Sequence, residues 1–123
     1  MATVTITKES FDDVVGESGL VILDFWAAWC GPCRRFGPIF EDASVAHPDV
    51  VFGKIDTEAE QELAAAFGIQ SIPTLAVIRD GVLLLQQAGA LPESALHDVV
   101  EKALALDMDA IRAELASHDE SPK

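Results

Sequence analysis

The interpretation of this chain starts from Trp29-Cys30-Gly31-Pro32-Cys33, which holds both cysteines of the 123-residue sequence. The stretch follows residues 20–26, a run that is apolar except for Asp24 and is typical of a strand buried on both faces. A helical pattern follows it over residues 34–46. Two thiols at a strand-to-helix junction allow three interpretations: a redox pair, part of a metal site, or a structural disulfide.

The spacing of the two cysteines argues against a purely structural disulfide. At positions i and i+3 of a first helical turn, Cys30 and Cys33 project on one side of the helix. Their Cα atoms can then approach the roughly 5.5–6 Å that a disulfide requires. A bond that closes so short a loop stabilises a fold by only about 2 kcal/mol, so a pair placed for stability would be expected to span more chain.

Metal binding has too few candidate ligands in one chain. A structural zinc ion takes four ligands, and the only residues to add to the cysteines are three scattered histidines, His47, His97 and His118. These are predicted to fall on a helix end, a later helix and the tail, where packing or surface roles are expected. We therefore expect no intramolecular metal site, while a metal bridged between two chains through the cysteine pair stays an alternative.

A redox role agrees with the physical chemistry of the stretch. Cys30 is expected at a helix N-terminus, where free amide groups and the helix dipole favour a thiolate. Gly31 and Pro32 let the chain turn and enter the helix. Cys33, one turn further, is expected to be less exposed. The predicted reaction is attack by Cys30 on a substrate disulfide, followed by attack of Cys33 on the sulfur of Cys30.

Composition limits the classes of partner. The formal net charge of −13 disfavours binding to nucleic acids and to anionic membranes. The longest apolar run covers about ten residues, interrupted by Asp24, whereas a membrane span needs roughly 20. The N-terminus shows no basic segment followed by an apolar one. We expect a cytoplasmic protein that acts as a monomer.

Hydrophobic periodicity predicts an α/β domain with the order β-α-β-α-β-α-β-β-α. The αβ alternations indicate a parallel core, to which a hairpin at Asp80-Gly81 adds an antiparallel strand. Thr57 and Glu60 form a capping-box pattern, and Pro38 is expected to kink its helix. The predicted strands are residues 4–6, 20–26, 50–56, 74–79 and 82–87, and the predicted helices are residues 8–15, 34–46, 58–67 and 92–106.

The last residues form a separate pattern. Met108, Ile111 and Leu115 lie at helical spacing, which predicts a short extra helix, followed by a frayed, flexible tail over residues 117–123. We divide the chain into a domain, residues 1–106, and an extension, residues 107–123. The extension is interpreted either as a cap over the end of the sheet or as an element that docks a partner.

The chain resembles bacterial members of the thioredoxin family in Asp24-Phe25-Trp26-Ala27-Ala28-Trp29-Cys30-Gly31-Pro32-Cys33, in Ser71-Ile72-Pro73-Thr74 and in Gly89. The similarity in motif spacing and element order covers about residues 3–106. It implies the thioredoxin fold, a central five-stranded mixed sheet flanked by four helices, here with the short extra helix. It also implies a general protein-disulfide reductase that acts on disulfide-containing client proteins and is recharged by NADPH-dependent thioredoxin reductase. No cofactor is expected beyond the redox-active disulfide Cys30–Cys33.

Asp24 is unexpected in an apolar strand, because burial raises the pKa of a carboxyl group unless a partner compensates. The resemblance implies that Asp24 is the buried aspartate that moves protons to and from Cys33, directly or through water. A satisfied or edge-facing aspartate is the alternative. The family commonly places a lysine on the next strand, and our alignment puts Phe52 at that position, with Lys54 two residues further on the same face.

The resemblance implies a client-binding surface around Cys30. Pro73 is expected to follow a cis peptide bond and to face the cysteines, so that the backbone of Ile72 can pair with an extended client segment. Trp26 is expected to support this surface by packing. Arg34 and Arg35 could aid the thiolate, dock partners or simply be solvated. The expected surface consists of Trp29, Gly31, Pro32, Ile72, Pro73, Gly89 and Ala90.

Two other functions are compatible with this sequence. A thiol oxidant or isomerase would use the same pair, although Gly31-Pro32 is similar to the reducing branch rather than to those enzymes, which usually carry a histidine there. A binding module that needs no redox chemistry would keep the fold and ignore the thiols.

Overall fold

The computed structural model describes residues 2–16 and 19–120, with side chains to residue 116. The predicted alternation of strands and helices is confirmed, and one further helix follows it. The elements are β1 (Thr3–Thr5), α1 (Lys8–Val15), β2 (Leu20–Trp26), α2 (Gly31–Ala46), β3 (Val51–Asp56), α3 (Gln61–Ala66), β4 (Thr74–Arg79), β5 (Val82–Ala88), α4 (Glu93–Ala105) and α5 (Met108–Glu120).

The five strands form one mixed sheet in the order β1-β3-β2-β4-β5, with β2 at its centre. Strands β1, β3 and β2 are parallel, while β4 runs antiparallel to β2 and β5 antiparallel to β4. The expectation that only the hairpin adds an antiparallel strand is therefore wrong. Strand β4 begins at Thr74, opposite Phe25 near the end of β2, so the segment with α3 joins β3 to β4 at one end of the sheet instead of crossing it.

The central strand β2 is buried on both faces, as its apolar run predicts. Ile22 joins one core cluster with Phe36 and Phe40 of α2, and Leu23 joins the other with Val15 of α1. Side chains alternate between the two faces along a strand. Asp24 therefore projects toward the face that α2 covers, which is the helix that carries the cysteines.

Several element ends differ from the predicted ones. The capping box at Thr57 and Glu60 is wrong: α3 begins only at Gln61, without a side-chain cap. The hydroxyl of Thr57 is used elsewhere, since it donates to the carbonyl oxygen of Trp26 at 3.1 Å. Helix α2 begins three residues earlier than predicted, at Gly31, and Pro38 lies inside it. The kink at Pro38 stays a prediction.

The hairpin at Asp80-Gly81 is confirmed. Asp80 has φ 53° and Gly81 has φ 80°, the left-handed values that a type I′ turn requires. The side chain of Asp80 also accepts a hydrogen bond from the amide of Gly19, at 2.6 Å. The turn is thus tied to the start of β2, at the end of the sheet opposite the cysteines.

The C-terminal extension docks at this same end of the sheet. One guanidinium nitrogen of Arg79 donates to the carbonyl oxygens of Ala103, Leu104 and Leu106, at 2.8, 3.0 and 2.8 Å. In α5, Met108 is buried and Arg112 lies 3.6 Å from the carboxylate of Asp80. The prediction of a frayed tail from residue 117 is wrong up to residue 120, because α5 continues to Glu120; residues 121–123 lie outside the described part.

Candidate active site

Cys30 occupies the N-cap of α2, and Cys33 follows at the third helical position. The sulfur of Cys30 accepts a hydrogen bond from the amide of Cys33 at 3.2 Å. The two residues form a disulfide, with Cα atoms 5.2 Å apart. The predicted position of Cys30 is therefore confirmed, and a free amide at the helix end is directed at its sulfur, where it would stabilise a thiolate.

Exposure does not distinguish the two cysteines, contrary to the expectation that Cys33 is the more buried. Each has 4% of its surface exposed. Their neighbours do distinguish them: the sulfur of Cys30 lies 3.6 Å from the carbonyl oxygen of Ile72, while Cys33 lines a cleft on the other side. The asymmetry of the pair therefore comes from what each residue contacts.

Asp24 lies inside the protein with 1% of its surface exposed. Neither carboxyl oxygen has a hydrogen-bond partner among the described residues. Burial raises the pKa of Asp24 from 3.8 to about 7, and the charge of Lys54 acts in the opposite direction. A carboxyl group with a pKa near neutrality can both accept and return a proton under physiological conditions.

The lysine that acts on Asp24 is Lys54, two residues beyond Phe52 on the same face of β3. In the parallel pairing of β2 and β3, Lys54 lies directly opposite Asp24, whereas Phe52 lies opposite Ile22 in the core. The ammonium group of Lys54 is 5.1 Å from the ring centroid of Trp26, within cation–π range. This contact agrees with the packing role expected for Trp26.

The expected binding surface is distributed over three segments of chain. The cis peptide bond between Ile72 and Pro73 is confirmed. Trp29 has 66% of its surface exposed, and its indole nitrogen donates to the carboxylate of Glu58 at 3.1 Å. At the start of α2, Gly31 is half-buried and Pro32 is exposed. Ile72 is half-buried beside Cys30, and Pro73 is buried. Gly89 and Ala90 are exposed, and the amide of Gly89 donates to the carbonyl oxygen of Pro73 at 2.8 Å.

A groove of about 180 Å³ lies beside Trp29, and several of its residues were not predicted from the sequence to line a surface near the cysteines. Thr57 and Gln70 come from two different loops; Thr57 was predicted only as a helix cap, and Gln70 belongs to no recognisable motif. The hydrogen bond between Trp29 and Glu58 likewise joins two different loops. The lining residues are Trp29, Thr57, Ala64, Ile69, Gln70, Ser71 and Ile72.

A second cleft, of about 450 Å³, opens on the Cys33 side of the disulfide. It brings Cys33, Lys54, Arg34 and Glu41 to the same open space. Proton exchange between Cys33, the neighbourhood of Asp24 and solvent is therefore possible at this point. The cleft is lined by Trp26, Ala27, Cys33, Arg34, Gly37, Pro38, Glu41 and Lys54.

The histidines of the described region lie apart from the redox site. Nε2 of His47 and Nδ1 of His97 are 2.9 Å apart and join the end of α2 to α4; the side chain of His118 lies outside the described residues. Within the described ranges, no group of three or more His, Cys, Asp or Glu side chains is arranged to hold a metal ion. In that same part of the chain, no helix is long and apolar enough to cross a membrane.

Comparisons with known proteins agree with this geometry. The family model described as Thioredoxin matches residues 2–102. A putative thioredoxin 2 of Streptomyces coelicolor is 56% identical over 115 residues, which is 94% of this chain and 86% of that protein. Thioredoxin of Bacillus subtilis is 41% identical over 105 residues, 85% of this chain and all of the relative. A solved structure of Plasmodium falciparum thioredoxin superposes with a TM-score of 0.75 at 35% identity, covering 81% of this chain and 97% of that one.

Proposed function

The chain belongs to the thioredoxin family, and from that premise we propose that its reductase chemistry runs through Cys30 as nucleophile and Cys33 as resolving thiol. Proteins of this family are protein-disulfide oxidoreductases, and this chain carries the cysteine pair that the reaction requires. The observation that carries the assignment of roles is the amide of Cys33 directed at the sulfur of Cys30. A thiolate at that sulfur gains a hydrogen bond that a thiolate of Cys33 does not gain from the same amide.

The proposed cycle begins with the reduced pair. The thiolate of Cys30 attacks one sulfur of a client disulfide, so that a mixed disulfide forms and one client thiolate leaves and takes up a proton. The thiolate of Cys33 then attacks the sulfur of Cys30. The second client thiol is released, two electrons have passed to the client, and the Cys30–Cys33 disulfide remains.

In this proposal Asp24 takes the proton that Cys33 must lose before it attacks. Its raised pKa, near 7, and the position of Lys54 opposite it support the assignment. Such a carboxylate is a usable base at neutral pH, while one with an ordinary pKa near 4 would be too weak. Asp24 returns the proton when the pair is reduced again.

We also propose how the pair is recharged and where it works. An NADPH-dependent thioredoxin reductase would return two electrons to the disulfide after each turnover, and the chain would act as a monomer that meets client and reductase in turn. Because the dithiol must be regenerated every cycle, a reducing compartment such as the cytoplasm suits it. Trp29, the backbone of Ile72, and Gly31, Pro32, Pro73, Gly89 and Ala90 would form the surface that receives the client.

The test is reduction of insulin disulfides, with electrons supplied by NADPH and thioredoxin reductase. Wild-type protein is expected to consume NADPH in step with insulin reduction, and Cys30→Ser should reduce turnover to the uncatalysed background. Cys33→Ser should retain the first step only and accumulate a covalent adduct with insulin, visible on a non-reducing gel and removed by dithiothreitol. Turnover by Cys30→Ser, or adducts formed equally well by both single variants, would refute these roles.

A further inference from the structure

The charges around the disulfide oppose the charge of the molecule as a whole. The sequence has 21 acidic and 8 basic side chains, with a formal net charge of −13. Three of the basic ones nevertheless surround the redox pair. Arg34 and Lys54 line the cleft with Cys33, and a guanidinium nitrogen of Arg35 lies 3.6 Å from the position that a Cβ on Gly31 would occupy. We call Arg34, Arg35 and Lys54 the basic rim.

Within the described part of the chain neither arginine of the basic rim forms an ion pair, while Lys54 lies opposite the buried Asp24 and Glu41 lines the same cleft. The ion pairs of the described residues join Lys8 to Glu62, His97 to Glu93 and Arg112 to Asp80, all away from the rim. Arg34 uses one nitrogen to donate to the carbonyl oxygen of Ala28 at 3.0 Å, which leaves its other donors free. In so acidic a chain, two neighbouring exposed arginines without an ion pair are unexpected.

The stability of α2 does not explain the two arginines either. Arg34 and Arg35 are the fourth and fifth residues of the helix, near the end where the dipole favours negative charge. The first turn of α2 contains no acidic residue that could compensate. Carboxylates at these positions would stabilise the helix, so we attribute the presence of arginines to a binding partner.

We propose that the basic rim binds acidic residues of the client polypeptide, so that disulfides flanked by Asp or Glu are reduced fastest. This inference rests on the proposed reductase function. Arginine presents a planar fork of N–H donors that matches a carboxylate, and both arginines are exposed. A client whose disulfide reaches Cys30 brings its neighbouring residues over the rim, where complementary charge raises the rate of productive encounter.

Net charge alone predicts a preference for basic clients, the opposite of the preference proposed here, so the two can be distinguished by experiment. A protein with a formal charge of −13 should attract basic clients and repel acidic ones over long distances. At about 0.15 M salt the screening length is about 8 Å, so distant acidic residues are largely screened while contacts at the rim persist. Measurements at this ionic strength therefore report the local surface.

The experiment uses three synthetic peptides that each contain one intramolecular disulfide, flanked by aspartates, by serines or by lysines. Reduced protein, freed of dithiothreitol, is mixed with each peptide in a single turnover, and the second-order rate is measured. Each rate is divided by the rate of the same peptide with dithiothreitol, because flanking charge changes the intrinsic reactivity of a disulfide. We expect the normalised rate for the acidic peptide to exceed that for the basic peptide by about fivefold, the order expected for a few exposed ion pairs.

The variants separate recognition from a change in the reactivity of Cys30. Altered thiolate reactivity scales the rates of all peptides together, so the ratio of acidic to basic rates isolates binding at the rim. The neutral double variant Arg34→Gln/Arg35→Gln should bring this ratio to about 1 or below, and Arg35→Glu should favour the basic peptide. Lys102→Glu on α4 makes the same charge change beside Leu84 and Leu106, outside the rim, and should keep the wild-type ratio.

Failure of this inference and failure of the proposed function give different results. A wild-type ratio of 1 or less, or a ratio that the double arginine variant leaves unchanged, overturns the inference while the reductase function stands. If wild-type protein reduces none of the three peptides, the proposed function fails, and this inference fails with it.

Discussion

Asp24 makes the stability of this fold depend on pH in an unusual direction. Most carboxyl groups in folded proteins are stabilised in the charged form, whereas burial raises the pKa of this one to about 7. In the unfolded chain the group loses its proton near pH 4, and in the folded chain only near pH 7. Between these values the folded state binds the extra proton, so stability falls as pH rises through that window and levels off above it.

Asp24→Asn should therefore gain stability relative to wild type as pH rises from 4 to 8. A pKa displaced from 3.8 to about 7 corresponds to roughly 4 kcal/mol between the ends of this range. Urea unfolding of the oxidised proteins gives the free energies of unfolding, and oxidation keeps the cysteines from titrating. Contributions that the two proteins share cancel in the difference.

An exposed carboxylate on α2 provides the control. Asp42→Asn removes the same charge from a solvated position and should show a much smaller change with pH. A difference between Asp24→Asn and wild type that stays constant from pH 4 to 8 would mean that Asp24 titrates as an ordinary aspartate.

Residue types and spacing were sufficient to place Cys30 at the start of a helix but not to predict the surroundings of Asp24. A thiol three residues before a second thiol, at the start of a helix, has few physical alternatives. The sequence indicated that Lys54 shares a face with Phe52, but which residue lies opposite Asp24 depends on the register of two strands. Pairing the middle of β2 with the middle of β3 would have identified Lys54.

The C-terminal end of α4 is held by a single side chain from β4. Arg79 donates to three carbonyl oxygens that have no partner within the helix, because the last carbonyls of any helix lack one. A cation at this end is also favoured by the helix dipole. This contact fixes α4 and the start of the extension to the central part of the sheet.

Arg79→Met should destabilise the fold by about 1–3 kcal/mol, because the substitution keeps the aliphatic bulk and leaves the three carbonyls without their donor. Arg112→Met is the matched control: its pair with Asp80, at 3.6 Å and partly exposed, should contribute less than about 1 kcal/mol. Urea unfolding of both variants at neutral pH measures the difference. Equal losses would show that the carbonyl contacts of Arg79 add nothing beyond an ordinary surface charge.

The prediction of elements from sequence succeeded where a local signal determines the structure. Asp80-Gly81 specifies its own turn, and the apolar run of β2 specifies a buried strand. It failed for the cap of α3 and the direction of β4, which depend on distant contacts. Thr57 has the right side chain for a cap but donates to Trp26 instead, and β4 begins at the end of the sheet where β2 and β3 stop, so it runs antiparallel to β2.

At the scale of the whole molecule, the redox site and the extension lie at opposite ends of the sheet. Leu20, at the start of β2, pairs with Arg79 beside the docking site of α5, while Trp26, at its end, leads into the cysteines. Six steps along a strand cover about 20 Å. Sequence patterns located both features along the chain, but only the antiparallel pairing of β2 with β4 puts them at opposite ends.

Deleting residues 107–123 should therefore lower stability and leave the reductase reaction intact. The truncated protein loses the burial of Met108 and the pair between Arg112 and Asp80, which together should cost about 2–4 kcal/mol. The bonds from Arg79 to α4 stay, since their acceptors precede residue 107. Insulin reduction at a temperature well below the unfolding transition should proceed at the wild-type rate, while the urea midpoint falls. If turnover with thioredoxin reductase fell several-fold and the midpoint did not move, the extension would be a docking element for a partner instead of a cap over the sheet. Turnover with dithiothreitol as the reductant distinguishes the two cases further. If the truncation removes only a contact with the reductase, turnover with dithiothreitol stays at the wild-type rate.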